Sequence, residues 1–212
     1  MINGVTLKIC GITRVEDAHA AAEIGADYLG FILHPPSPRY ISPEKYAAIA
    51  PQLPAGKKVG VVVTPTLDEL ARVWALGFDS VQVHFPNETP FFEAAMWSDV
   101  VPPDRLWLAP RIPPEKELDP VFLPFADTFL VDTFHPDKFG GTGQTGDWAK
   151  FKSRQAAYPR KTWILSGGLK PENIGPAIAA SAAKFIDVNS GVESAPGVKD
   201  LAKLRALRQS LE

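Results

Sequence analysis

One cysteine among 212 residues rules out an internal disulfide, so Cys10 is either a buried small hydrophobe or a functional thiol. A chain without disulfides suits the reducing cytosol, and a cytoplasmic location is expected. No apolar run approaches the ~20 residues that span a bilayer. Met1-Ile2-Asn3-Gly4 also lacks the basic flank and apolar stretch of a secretory signal. Neither sign of charge is in excess. The 22 basic and 24 acidic residues give a formal net charge of −2, which argues against the broad basic footprint of a nucleic-acid or anionic-membrane binder. No low-complexity tract, fixed-period repeat or linker-like stretch divides the chain. It therefore reads as one domain over residues 1–212, with an ordinary 45% of apolar residues for its core.

What is present is alternation. Val5 to Cys10, Tyr28 to Leu33, Lys58 to Val63, Ser80 to His84, Leu106 to Ala109, Thr128 to Asp132, Thr162 to Leu165 and Phe185 to Val188 are short apolar runs that read as strands. Helical patterns lie between them. Thr13, with Glu16 three residues on, is the expected cap of the first, which ends near Gly25. Ser42-Pro43-Glu44 opens the second, and the third runs from Thr66 to Leu76 and is closed by Gly77. Others are expected from about Asn87 to Trp97, from Asp147 to Ser153, from Pro171-Glu172 onward, and from Lys199 to Gln209. Pro110 to Pro124 is proline-rich, and its helix is expected to shrink to a turn. Strict alternation implies parallel strands, and eight such units close into an α/β fold of the (β/α)8 TIM-barrel class. An open dinucleotide-binding sheet lacks support, because Cys10-Gly11-Ile12-Thr13 has too little glycine for a G-x-G-x-x-G turn.

Active sites of such barrels are built from the loops after the strands. Here those loops are rich in reactive side chains and glycine. Ser166-Gly167-Gly168-Leu169 and Asn189-Ser190-Gly191-Val192-Glu193 follow the last two strands, where backbone amides of Gly167, Gly168, Ser190 and Gly191 can approach a phosphate. Cys10 and Asp132 end the first and sixth strands and form a candidate base and acid around the barrel mouth. A thiol with a reference pKa of about 8.5 needs help to act as a base. The start of the first helix and an inward-facing Lys8 are the two expected sources, with Asp187 as the partner of that lysine. Asp132 needs the opposite tuning, by burial.

Lys8-Ile9-Cys10-Gly11-Ile12-Thr13, Gly30-Phe31, Ser37-Pro38-Arg39-Tyr40, Val81-Gln82-Val83-His84 and Asp132-Thr133 stand in this order along the chain. Gly140-Gly141-Thr142-Gly143, Asp147-Trp148, Ser166-Gly167-Gly168-Leu169 and Asp187-Val188-Asn189-Ser190-Gly191-Val192-Glu193 complete the series. This ordered set resembles the signature blocks of the phosphoribosylanthranilate isomerase family from first strand to last. The resemblance implies an Amadori rearrangement in tryptophan biosynthesis, with no cofactor and no metal, on a small phosphosugar substrate. It implies that Asp132 protonates the furanose ring oxygen and that Cys10 removes the proton from the neighbouring carbon. Arg39 would hold the anthranilate carboxylate, with Arg111 a second candidate and His84 a further substrate contact. Asp187 would either contact the ribose or hold Lys8. The glycine-bearing loop Phe134 to Gly146 suits a lid over the intermediate. Neither nucleic acid nor membrane is an expected partner, and the protein would act as a monomer or homodimer.

One departure from the family pattern is Phe85, where glycine usually follows the histidine of the fourth strand. Its ring could narrow the pocket, stack on the anthranilate ring, or turn away. The rival enzyme reading is a metal-dependent pentose-phosphate epimerase using His34 and His84, for which matching carboxylate ligands are not evident. The non-enzyme rival is a phosphate-binding protein that lost its chemistry, against which the pair Cys10 and Asp132 speaks.

Overall fold

The computed structural model describes residues 1–132 and 147–212. Eight parallel strands close into a barrel in chain order: β1 (Thr6–Ile9), β2 (Tyr28–Ile32), β3 (Lys57–Val63), β4 (Ser80–Pro86), β5 (Leu106–Arg111), β6 (Thr128–Val131), β7 (Thr162–Leu165) and β8 (Phe185–Val188). β8 returns to β1 with Lys8 opposite Asp187. The expected barrel is the observed one.

Strand alternation divides the apolar residues into two cores. On β1, Leu7 and Ile9 face the helices and join the large outer core. Cys10 belongs instead to the barrel interior, with Val59, Val61, Trp107, Leu130 and Ile164. At the N-terminal ends of the strands the interior is plugged by Tyr28, Trp107 and Phe185, whose ring centroids lie 5.1 to 5.6 Å apart. The opposite end is open and carries the site.

The surrounding helices are α1 (Val15–Glu23), α2 (Pro43–Ile49), α3 (Leu67–Trp74), α4 (Phe91–Val100), α5 (Trp148–Ala157), α6 (Ile174–Ser181) and α7 (Leu201–Gln209). Ser42 caps α2 as expected, and Thr66 caps α3 in a reciprocal capping box with Glu69. The cap of α1 differs. Arg14 occupies that position without a side-chain bond, because the Thr13 hydroxyl donates to the Gly197 carbonyl at 2.7 Å. α4 starts at Phe91 rather than Asn87, since β4 runs through Pro86 and a turn follows it. After β5 the chain forms a 3-10 segment, Pro120–Phe125, in place of an α-helix. Two prolines there lack the N–H that an α-helical ladder needs. A feature not expected is the antiparallel ribbon of β9 (Glu193–Ala195) and β10 (Val198–Lys199) between β8 and α7.

Candidate active site

A cavity of about 580 Å³ opens at the C-terminal ends of the strands, and Cys10, Arg39, His84, Asp132, Asp187 and Asn189 are among its walls. Five of them extend the inward-facing rows of β1, β4, β6 and β8, which is why residues distant in sequence meet here. Arg39 arrives from the loop after β2.

Beneath the cavity floor lies a buried polar column. Lys8 is fully buried, and its Nζ stands 3.1 Å from Asp187 Oδ1 and 3.1 Å from Gln82 Oε1. It also reaches the Cys10 thiol. Burial opposes the ammonium, yet Asp187 and Cys10 outweigh it and hold Lys8 above its ordinary range. Burial likewise pushes the Cys10 thiol up, against the pull of Lys8 and Lys199. Four residues separate Cys10 from α1, and Gly11, in the left-handed region at φ +75°, turns the chain between them. The Lys8–Cys10 stack requires Gly30 on the adjacent strand. A Cβ at that position would lie 2.8 Å from Cys10 Sγ and 3.0 Å from Lys8 Cε.

Arg39 is clamped from one side. Its Nε and Nη2 donate to Glu193 at 2.7 to 3.0 Å, and Glu193 Oε1 accepts from Lys199 Nζ at 3.0 Å. Lys199 Nζ also donates to Asn189 Oδ1 at 3.0 Å. Burial opposes ionisation of Glu193, but Arg39 and Lys199 more than compensate and lower its pKa. The β9–β10 ribbon thus brings two buried charges up against the cavity-lining guanidinium.

The two glycine-bearing loops meet beside this cavity. Gly167 and Gly168 adopt φ values of +96° and +62°, and Ser190–Val192 forms a 3-10 turn. Gly191 packs so closely on Leu169 that a Cβ there would collide with the Leu169 carbonyl. Gly168, Ser190 and Gly191 line a smaller hollow of about 370 Å³ with Lys170, Glu172 and Lys203.

The geometry thus gathers Cys10, Asp132, Arg39, His84 and Asp187 around one space and sets Gly167, Gly168, Ser190 and Gly191 next to it. Arg111 ends β5 at the same barrel face without lining the cavity. Phe85 turns away: it is buried among Trp97 and Phe122, at ring distances of 5.4 and 5.2 Å, because its strand neighbour His84 points inward. The loop Phe134 to Gly146 lies outside the described residues. Sequence reasoning passed over Lys199 and gave Glu193 and Gln82 no separate role. Pro196-Gly197 between Glu193 and Lys199 was the available turn signal, and a hairpin there pairs their charges.

The family model described as N-(5'phosphoribosyl)anthranilate (PRA) isomerase matches residues 7–210. An N-(5'-phosphoribosyl)anthranilate isomerase of Synechococcus sp. is 40% identical over 214 residues, which cover 98% of this chain and 96% of that protein. The crystal structure of phosphoribosyl anthranilate isomerase from Thermus thermophilus is 36% identical with a TM-score of 0.82 over 98% of both chains. A phosphoribosyl anthranilate isomerase solved in complex with reduced 1-(o-carboxyphenylamino)-1-deoxyribulose 5-phosphate is 32% identical, with a TM-score of 0.76 over 98% of both chains. Barrel, cavity and full-length similarity agree, and the chain belongs to the N-(5'-phosphoribosyl)anthranilate isomerase family.

Proposed function

We propose that this chain converts N-(5'-phosphoribosyl)anthranilate to 1-(2-carboxyphenylamino)-1-deoxyribulose 5-phosphate with Cys10 as general base and Asp132 as general acid. The observation that carries this reading is that both side chains border one cavity, with the Lys8 ammonium against the thiol. Asp132 gives its proton to the furanose ring oxygen as the C1–O bond breaks and the anthranilate nitrogen forms a C1=N iminium. Cys10 then takes the proton from C2, and that electron pair becomes the C1=C2 bond of an enolamine. Loss of the hydroxyl proton and protonation of C1 complete the ketone, so atoms and electrons balance within the substrate. The iminium charge adds to Lys8 and Lys199 in favouring thiolate at the step that needs it. A thiol of raised pKa is also a stronger base once ionised.

Arg39 receives the anthranilate carboxylate on the guanidinium edge away from Glu193, and His84 offers a further contact. Amides of Gly167, Gly168, Ser190 and Gly191 hold the phosphate, and Asp187 anchors Lys8. Arg111 is the secondary candidate for the carboxylate. The protein works in the cytoplasm as a monomer or homodimer on a small phosphosugar, as a step of tryptophan biosynthesis.

Fluorescence loss of freshly generated phosphoribosylanthranilate measures turnover. Wild type should turn over, while Cys10→Ser and Asp132→Asn should each lose at least ~100-fold in kcat, the scale of a general acid or base. A Cys10→Ser variant within a few-fold of wild type would remove the thiol from the mechanism. No turnover and no binding by wild type would mean that the substrate is wrong.

A further inference from the structure

Gln82 and His84 stand two residues apart on the inner face of β4, and their side-chain nitrogens, Nε2 of each, are 2.6 Å apart. On its other side Gln82 presents Oε1 to Lys8 Nζ at 3.1 Å. An ammonium only donates, so the amide oxygen must be the atom facing Lys8. The amide nitrogen then faces His84, and it too only donates. His84 Nε2 must therefore be the acceptor, which leaves its one proton on Nδ1. Turning the amide over would set N–H against ammonium in a buried site, and a second proton on the ring would set N–H against N–H. Lys8 is held in place by Asp187, so the order of donors and acceptors runs from a buried ion pair to the cavity wall.

We propose that Gln82 is a positioning residue that locks His84 in its neutral Nδ1–H form, so that the imidazole serves the cavity as a fixed hydrogen-bond donor to a substrate oxygen and carries no proton in the reaction. Naming the ligand a substrate rests on the function proposed above; the tautomer itself does not. The surroundings agree. Burial, then the charges of Lys8 and His34, pushes His84 down to about 3. Among the described residues, the other charged or titratable groups near it are Cys10 beyond Lys8 on β1, Arg39 after β2, Arg111 on β5, Asp132 after β6 and Asp187 on β8. The cations disfavour an imidazolium and Asp187 is paired with Lys8, which leaves Asp132 as the carboxylate that would favour one.

Long-range proton–nitrogen NMR of the 15N-histidine-labelled full chain reads tautomer and charge directly, with His84→Asn assigning the signal. His84 should show the Nδ1–H pattern without titrating between about pH 4.5 and 8, whereas exposed histidines titrate near ~6.5. Asp132→Asn should leave that pattern unchanged. Gln82→Glu supplies an acceptor to both neighbours, so the ring should gain a proton at Nε2 and titrate between about pH 6 and 8. An Nε2–H pattern for His84, or a midpoint near ~6.5 for it in wild type, overturns the proposal. An unchanged His84 signal in Gln82→Glu overturns the role of Gln82. A neutral Nδ1–H ring in a protein that fails to turn over phosphoribosylanthranilate would sink the proposed substrate and leave this inference standing.

Discussion

The two ends of the barrel interior are built from the same strand alternation and opposite chemistry. At the closed end, Tyr28, Trp107 and Phe185 fill the space with rings in edge and stacked contact, and none of the buried charges among the described residues lies there. At the open end the same inward rows deliver Lys8, Cys10, Gln82, His84 and Asp187, and several of these are buried just as deeply. The plug removes apolar area from water at roughly 25 cal/mol per Å². The polar column gains far less, because the desolvation of its ions offsets most of their attraction. What the column does is fix orientation: Gln82 turns its acceptor to Lys8 and its donor to His84, and the imidazole takes its tautomer from that order.

Breaking the column should have the largest effect. Lys8→Met leaves Asp187 buried and unpaired, and a cost of about 3–5 kcal/mol in urea unfolding is expected, together with loss of most turnover. Removing both ions, as Lys8→Met with Asp187→Leu, should recover most of that stability and none of the activity. A double variant that regained turnover would erase the distinction between the two ends. Trp107→Ala attacks the plug and should also cost roughly 3–5 kcal/mol, through lost burial and a cavity. Its kcat/KM per folded molecule should stay within a few-fold of wild type, which a steady-state assay below the unfolding transition would check. The smallest effect is expected at Phe85, which lies outside both ends. Phe85→Leu should lower stability by about 1 kcal/mol and leave KM unchanged, since the ring packs on Trp97 and Phe122. A several-fold shift in KM would bring Phe85 back to the pocket.

Several local features were legible before folding was considered. Ser42-Pro43 starts a helix by a bond within four residues of sequence, and the structure keeps it. The prolines of Pro120–Phe125 forecast a degraded fifth helix for an equally local reason. Thr13 shows where such reasoning stops. As a helix start it is well formed, but its hydroxyl finds the Gly197 carbonyl, 184 residues away in sequence, and Arg14 takes the cap. Phe85 is similar: its side of the strand follows from the pairing of β4 into the barrel, not from its own neighbours in sequence.

Composition, hydrophobic period and glycine placement by themselves determined an eight-unit parallel barrel with reactive side chains at the strand ends, because these depend on near neighbours and on the two-residue repeat of a strand. Tertiary structure alone decided that Glu193, itself held by Lys199, grips Arg39, that Gln82 stands between Lys8 and His84, and that burial pushes the Cys10 thiol up. Those outcomes depend on which atoms meet within hydrogen-bond distance and how completely water is excluded. Both are set by the closure of β8 on β1 and by a short ribbon folded across the mouth, so no single stretch of sequence contains them.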